Sequence, residues 1–429
     1  MEALAKDTDI SLLDSWLSNI VEAAPHSSNQ PSIDLPFQRW FKFKEAYSPR
    51  LVTDVVKEVG GKPRRIVDPF GGCGTTAITS QFLGIKPTAI EVNPFLADLT
   101  EAKLTNYDLQ SLLKAKEFIL SHVFSVTVSE EEFNKYPQSF VEPGLRGKWL
   151  FSKTLFETIL KYKKAVSLIK DDKIRRLMKV ILGSTLVPMS NIFISGKGRK
   201  YKDKWNARQS TPEEFKKFFE LRLNQALRDI SQFGSKLSEY ELLRGDCRSR
   251  SNELGSFDLS IFSPPYPNSF DYTDVYNVEL WLLGYISSHE ECRMLRSNTL
   301  RSHVQVKRSY DFRQMGSRTL KETYDKLNSA KKELWNPEIP DMVHSYFDDL
   351  YGLLDNMSGQ IDRNGSVVMV VGDSAYKSIR VPVADILSEI SAECGYKTKS
   401  KNVVRRMRTS AQQGGTATLD ETIVWLSKT

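Results

Sequence analysis

Two short stretches of the 429-residue chain hold residue types that can do chemistry together. The first is Ser263-Pro264-Pro265-Tyr266. Proline has no N–H and fixes φ near −65°, so a proline pair holds the chain rigid and leaves the neighbouring carbonyls as acceptors. The Ser263 hydroxyl and those carbonyls can accept hydrogen bonds from an NH₂ group while the Tyr266 ring stacks on the same flat molecule. A nucleobase with an exocyclic amine fits this set. The second stretch is Asp68-Pro69-Phe70-Gly71-Gly72-Cys73-Gly74-Thr75-Thr76. A glycine-rich turn lets backbone approach a ligand closely. The spacing Gly72-x-Gly74-x-x-Ala77 also fits a dinucleotide fingerprint. Asp68, however, puts a carboxylate where a pyrophosphate must sit, and Ser-Pro-Pro-Tyr has no role in hydride transfer. A nicotinamide dehydrogenase is therefore a lesser alternative.

Both stretches need strands to hold them. Phe257, Leu259, Ile261 and Phe262 form a short apolar run before Ser263, suited to a buried parallel strand. Arg65–Asp68 is a second short strand, running through the glycines into a helix from about Ala77 to Leu83. Thr88–Val92 is a third, ending around Glu91, where a carboxylate can bind the two hydroxyls of a ribose. Glu241–Asp246 is a fourth, with Asp246 at its end. In an open α/β sheet, ligands bind at the carboxyl ends of the strands, so these carboxylates and the proline corner converge on one crevice. Lys44, Tyr47 and Ser48 lead into a helix over 51–59, whose free N–H groups can hold a carboxylate.

The rest of the chain has a readable order. Residues 9–24 have the spacing of an amphipathic helix, and 24–36 form a polar linker with three prolines. The span 106–238 is mostly helical in pattern. Asp271 opens a helix that ends near Leu283, and Asp341 caps a long one over Asp341–Met357. Ser366–Val371 is a buried strand, followed by a helix over Val383–Ile390. Lys401–Val404 and Thr422–Leu426 form a closing strand pair, with Arg405, Arg406, Arg408, Gly414 and Gly415 in a polar loop between them.

Two segments are candidates for a polyanion. In the first, Lys197, Arg199, Lys200, Lys202, Lys204 and Arg208 interleave with Tyr201 and Trp205, combining phosphate contacts with stacking surfaces. The second, within 287–340, includes Arg301, Lys307, Arg308 and Arg313. The net charge of +7 and pI near 8.9 suit such a partner. The four cysteines are scattered, with no C-x-x-C pair, and the five histidines have no zinc-type spacing, so no metal is expected. The amino terminus lacks an apolar signal segment, and no apolar run is long enough to span a bilayer. A cytoplasmic protein with no membrane partner is the expectation.

The glycine motif paired with a downstream Ser-Pro-Pro-Tyr resembles the S-adenosylmethionine-dependent amino-group DNA methyltransferases. Lys44–Pro49 looks like that family's motif for the cofactor carboxylate, Glu91 like its ribose-binding acid and Asp246 like its adenine-binding acid. The resemblance implies a Rossmann-like class I methyltransferase fold, α/β with a mixed, mostly parallel seven-stranded sheet and a largely helical insertion. The catalytic domain would span 37–105 and 239–429, preceded by a helix and linker over 1–36. The helical insertion at 106–238 and a basic insertion at 287–340 would have to read DNA, since no other stretch leaves room for recognition.

Cofactor contacts are implied for Lys44, Tyr47, Ser48, Asp68, Pro69, Phe70, Gly71, Gly72, Gly74, Thr75, Thr76, Glu91, Asn93, Asp246 and Cys247. Ser263, Pro264, Pro265 and Tyr266 are implied for catalysis. Within the family, Ser-Pro-Pro-Tyr is typical of cytosine-N4 enzymes and Asp/Asn-Pro-Pro-Tyr of adenine-N6 enzymes, so cytosine N4 of a flipped base is the first expectation and adenine N6 the second. No cysteine follows a proline, which disfavours covalent carbon-5 chemistry. A cognate restriction endonuclease is an implied partner, and the oligomeric state stays open. An RNA guanine-N2 methyltransferase and a non-catalytic nucleic-acid-binding protein are the remaining alternatives.

Overall fold

The computed structural model describes residues 12–18, 20, 25–195, 198–236, 238–268, 270–311, 313–408 and 418–429. In chain order the first elements are helix α1 (Pro49–Val59), strand β1 (Arg65–Asp68), α2 (Thr75–Phe82), β2 (Lys86–Glu91) and α3 (Pro94–Leu104). A helical region follows: α4 (Leu109–His122), α5 (Lys153–Ser167), α6 (Asp172–Met189), the hairpin β3 (Ile192–Ser195) and β4 (Gly198–Tyr201), and α7 (Pro212–Phe233). The chain then returns to the sheet with β5 (Glu241–Arg244) and β6 (Phe257–Phe262). The last elements are α8 (His289–Ser297), α9 (Arg318–Ser329), α10 (Ile339–Ser358), β7 (Ile361–Gly372), the small hairpin β8 (Ser374–Tyr376) and β9 (Ile379–Val381), α11 (Val383–Glu393), β10 (Tyr396–Arg408) and β11 (Thr418–Lys428).

The main sheet has seven strands in the order β10-β11-β7-β6-β1-β2-β5. β5, β2, β1, β6 and β7 are joined in parallel, and β11 runs antiparallel to both of its neighbours. This is the mixed, mostly parallel seven-stranded sheet that the resemblance implies. The strand order reverses between β1 and β6, so the carboxyl ends of these two strands frame the crevice where such a sheet takes its ligand.

The alternation along β7 shows how the layers form. Val367, Met369 and Val371 join a core with Phe347, Leu350 and Leu354 of α10 and Ile386 and Leu387 of α11. Val368 and Val370 join the opposite core with Leu51, Val52 and Val55 of α1. Successive side chains of a strand point to opposite faces, so a strand covered on both faces is apolar throughout.

The helical region 106–238 shares one core with the sheet domain. Leu112, Ile159, Leu177 and Phe215 belong to the same cluster as Phe82 of α2 and Phe95 and Leu99 of α3. Asp229 of α7 fastens this region to the amino-terminal segment. Its buried carboxylate accepts from the Phe37 amide at 3.0 Å and the Trp40 indole at 2.9 Å, and pairs with Arg39. Phe37 sits at φ 65°, a conformation costly for a bulky residue, and Asp229 holds it there. Asp229→Ala leaves these donors without their acceptor and is expected to destabilise the protein by about 3 kcal/mol, read from denaturant unfolding.

Several expectations need correction. The strand ending at Glu91 begins at Lys86, and the helix after the glycines begins at Thr75. The stretch from Asp271 to Leu283 is two short helices, Tyr272–Val275 and Asn277–Leu282. The α10 cap position is Glu338, because Pro340 fits the first turn and the helix starts before Asp341. The closing strands are much longer than Lys401–Val404 and Thr422–Leu426. Arg405, Arg406 and Arg408 therefore lie on β10 and not in a loop. Alternating Lys and Arg along a strand conceals its pattern when one face is solvated. Gly414 and Gly415 lie outside the described residues, as do 9–11, 19 and 21–24 of the expected first helix. The polar linker, finally, is folded onto the molecule: Asn29 Nδ2 donates to the Phe43 carbonyl at 2.8 Å, and the Ser48 amide to the His26 carbonyl at 2.9 Å.

Candidate functional site

The carboxyl ends of β1, β2 and β6 open into a cleft of about 380 Å³. That is within the size range of small-molecule and cofactor sites. Lys44, Tyr47, Asp68, Pro69, Phe70, Gly71, Gly72, Thr75, Glu91, Asn93, Cys247, Ser263, Pro264, Pro265 and Tyr266 all line it. The glycine stretch and the proline corner, almost two hundred residues apart in sequence, thus face one space.

The turn after β1 explains the glycines. Gly72 and Gly74 adopt φ 52° and 80°, and a Cβ on Gly74 would meet Thr100 Oγ1 at 2.9 Å. Two buried acids stand at the cleft wall, Asp68 at the end of β1 and Glu91 at the end of β2. Asp68 accepts from the Phe70 amide at 2.9 Å. Glu91 accepts from the Gly72 amide at 2.6 Å and the Asn93 amide at 2.7 Å. Burial pushes the pKa of each up to about 7, against the lowering effect of these amides. Among the described residues neither acid forms an ion pair, and a ligand with hydroxyl donors or positive charge would complete them. Burial also holds Glu45 above the usual carboxylate range. Tyr47 supports the floor: its hydroxyl bonds Thr76 Oγ1 and lies 3.3 Å from the Ile261 carbonyl and 3.5 Å from Asp68.

At the proline corner, Ser263 Oγ donates to the Val370 carbonyl at 2.9 Å. That bond uses its proton, so its lone pairs remain to accept from an amine. The Tyr266 hydroxyl donates to Glu421 at 3.2 Å. The corner therefore offers acceptors and one aromatic face, and nothing in it acts as a nucleophile.

Four of the expected cofactor residues do not line the cleft. Ser48 is buried and caps α1, accepting from the Arg50 amide at 3.3 Å. Gly74 turns the chain into α2, and Thr76 stands behind Tyr47. Asp246 caps the short helix Cys247–Arg250 after Gly245, which sits at φ 134°. Its two carboxylate oxygens are gripped by Arg248, with Nε at 3.0 and 2.9 Å and Nη2 at 2.6 Å. Asp246 thus stands two residues beyond the last strand residue, Arg244, and not at the strand end expected for it.

The basic segments divide. On the β3–β4 side, Lys200, Lys204 and Arg208 are exposed. Arg199 pairs with Asp274 at 2.9 Å, Lys202 Nζ donates to the Pro188 carbonyl at 2.7 Å, and Trp205 packs on Tyr201 and Trp149. Lys197 lies outside the described residues. In the second segment Lys307 is exposed, but Arg301 is turned inward onto Asp348 and Asp349, at 2.7 Å to each. Arg308 donates to the Thr299 carbonyl at 2.8 Å, and Arg313 pairs with Asp348 at 2.6 Å. Arg301 and Arg313 tie the segment to α10 and Arg308 braces the segment internally, which is not the open cationic surface expected of them.

The cleft also contains residues that the sequence did not assign to it: Ser27, Ser28, Asn298, His303, Arg405 and Glu421. His303 is 2 % exposed, and burial lowers its pKa to about 4. Glu421 alone left a trace in the sequence, a carboxylate in phase with Leu419 on the covered side of β11.

No family model matches the chain. Curated relatives align along most of it. The type II methyltransferase M.BsoBI of Geobacillus stearothermophilus is 27% identical over 443 residues, covering 90% of this chain and 84% of its own. The type II methyltransferase M.AvaI of Nostoc sp. is 27% identical over 432 residues, covering 91% and 85%. The type II methyltransferase M.MjaII of Methanocaldococcus jannaschii is 32% identical over 102 residues, covering 23% of this chain and 19% of its own. Among solved structures, TrmN from Thermus thermophilus superposes with a TM-score of 0.29 at 11% identity, covering 89% of this chain and 49% of that one. Such an overlap adds nothing to the topology above. The resemblance to the amino-group methyltransferases agrees with these relatives, which extend over nine-tenths of the chain.

Proposed function

We propose that this chain transfers a methyl group from S-adenosylmethionine to the exocyclic amine of a base in DNA, with cytosine N4 as the acceptor and adenine N6 as the second choice. One observation carries the reading: Ser263, Pro264, Pro265 and Tyr266 line the same cleft as Asp68 and Glu91. The relatives' designation as type II methyltransferases supports DNA as the substrate and a cognate restriction endonuclease as the companion activity. Among the described residues no helix is long and apolar enough to cross a membrane, which is compatible with the cytoplasmic site such an activity needs.

The cleft fits the cofactor by the chemistry of its donors and acceptors. Glu91 would take the ribose hydroxyls, the Gly71–Gly72 backbone would pass close beside them, and Asp68 and Lys44 would face the charged amino-acid end. Cys247 and Asn93 would flank the adenine and the ribose. When bound, the cofactor supplies an electrophilic methyl on a sulfonium. The protein's part is to prepare the amine. The lone pair of an exocyclic amine is delocalised into the ring, so the nitrogen is a poor nucleophile. Acceptors at Ser263 Oγ and the Pro264 carbonyl would hold both N–H bonds and favour a more tetrahedral nitrogen, while Tyr266 fixes the ring by stacking. Reaching this corner requires the base to be flipped out of the duplex.

Lys200, Lys204 and Arg208 would track the phosphates near the cleft. Lys200→Ala combined with Lys204→Ala is expected to weaken DNA binding severalfold and to reduce the slope of log K against log salt by about 2. A titration by fluorescence anisotropy at several salt concentrations checks this. The reading itself is tested by incubating the purified protein with methyl-labelled S-adenosylmethionine and, in parallel, unmethylated genomic DNA, tRNA and rRNA. Label on DNA alone is the expected result. Label on RNA alone would move the protein to the guanine-N2 class, and cofactor binding with label on neither would leave a binding protein.

A further inference from the structure

The far wall of the cleft is built by Arg405 of β10, Glu421 of β11 and Ser27, none of which is among the residues assigned to the cofactor. Glu421 of β11 is 2 % exposed and lies opposite Gly372, at the end of β7 beside the proline corner. Its Oε1 accepts from the Tyr266 hydroxyl at 3.2 Å and from Arg405 Nη2 at 3.0 Å, and its Oε2 accepts from Ser27 Oγ at 2.6 Å. One oxygen thus takes both the phenol and the guanidinium, which fixes them side by side. Arg405 faces Glu421 across the β10–β11 ladder just past a register shift between Val403 and Arg405. Such a bulge re-aims a side chain, and here it aims the guanidinium at the cleft that Arg405 lines.

Two demands meet at this point. Tyr266 must hold its ring in one plane for a base to stack on it, and a phenol anchored through its hydroxyl keeps that plane. The edge of a base next to its amine must also be recognised. On cytosine that edge continues from N4 to two adjacent acceptors, N3 and O2. On adenine it continues from N6 to one acceptor, N1, and then to a C–H. A guanidinium presents a fixed fork of N–H donors, which matches the cytosine edge with two bonds and the adenine edge with one. We propose that Arg405 reads the N3/O2 edge of the target cytosine and that Glu421 is the positioning residue that sets both Arg405 and Tyr266. This rests on the amine-methylation reading above and extends it to the choice of base.

The test uses the full chain and unmethylated genomic DNA, with turnover measured by label transfer and the cofactor dissociation constant by calorimetry. Glu421→Ala is expected to lower kcat about 10²-fold while the cofactor constant stays within about threefold, which also reports a folded cleft. Glu421→Gln keeps the shape and one acceptor and is expected to lose about tenfold. Tyr266→Phe should cost about tenfold in the native background and less than about twofold on top of Glu421→Ala, because both changes remove the same contact. Arg405→Lys keeps the charge but loses the fork, and should stay at least about tenfold down. A native protein that binds the cofactor but methylates neither cytosine nor adenine overturns the functional reading and this inference together, and one that methylates adenine alone overturns this inference only. If the native protein methylates cytosine and Glu421→Ala and Arg405→Lys remain within about threefold of it, this inference alone is overturned. Independent, multiplying effects of Tyr266→Phe and Glu421→Ala would likewise remove the positioning role.

Discussion

Replacing Tyr266 with alanine is expected to lower kcat by about two orders of magnitude and to leave the cofactor dissociation constant within about threefold. The two effects separate because the cleft has two walls. Asp68 and Glu91 stand on the β1 and β2 turns, whereas Tyr266 stands past the end of β6 and touches neither acid among its described contacts. Stacking of a base on an aromatic ring contributes about 1–3 kcal/mol, and every 1.4 kcal/mol lost at the transition state is about tenfold in rate. Loss of the ring also frees the base to rotate away from Ser263, and misplacement of the reacting atom alone can cost about 10²-fold. Single-turnover label transfer at saturating cofactor, paired with calorimetric cofactor binding, checks both halves. A loss confined to cofactor affinity would show that Tyr266 belongs to the other wall.

Glu91→Gln has the opposite signature. A hydrogen bond to a charged group contributes about 1.5–3 kcal/mol, so a neutral amide is expected to weaken cofactor binding about 30-fold, with kcat at saturation changed much less. The acid's raised pKa adds a pH dependence. Asp68 and Glu91 move from 3.8 and 4.5 to about 7 in the folded protein. They therefore hold protons more tightly when folded than when unfolded. Their contribution to stability is fully present below about pH 4 and is lost as the pH rises through about 7. The ionised acids are the forms that accept from ribose hydroxyls, so cofactor affinity should rise between pH 6 and 8. The thermal stabilisation given by the cofactor should be larger at pH 8 than at pH 6. Glu91→Gln should flatten this dependence, leaving the part due to Asp68. Differential scanning fluorimetry across that range, with and without cofactor, measures it.

The sequence made the sheet and one wall of the cleft legible for a physical reason. Strands buried on both faces are apolar runs, and each chemical group followed directly from the end of such a run: Asp68 after Ile66-Val67, Glu91 after Ala89-Ile90, Ser263 after Ile261-Phe262. The other wall was not legible. Ser27 meets Glu421 across 394 residues of chain, and only the folded antiparallel pair brings Arg405 to Tyr266. The charge of a segment was a poor guide to its surface. Arg301 reads as a solvated cation until Asp348 and Asp349, 47 and 48 residues later, fold against it. Asp246 lies off the strand because β5 stops at Arg244 and Asp246 caps the next helix, a signal hidden within Gly-Asp-Cys.

The central claim is that the Ser263–Tyr266 corner methylates an exocyclic amine. It is tested most directly by digesting DNA modified by the purified protein to nucleosides and identifying the methylated one by mass spectrometry, with Pro264→Ala as the control. The account predicts N4-methylcytosine that falls to background in the variant. N6-methyladenine would preserve the chemistry of the corner and overturn the reading of Arg405. 5-Methylcytosine, or a product undiminished by Pro264→Ala, would contradict the account.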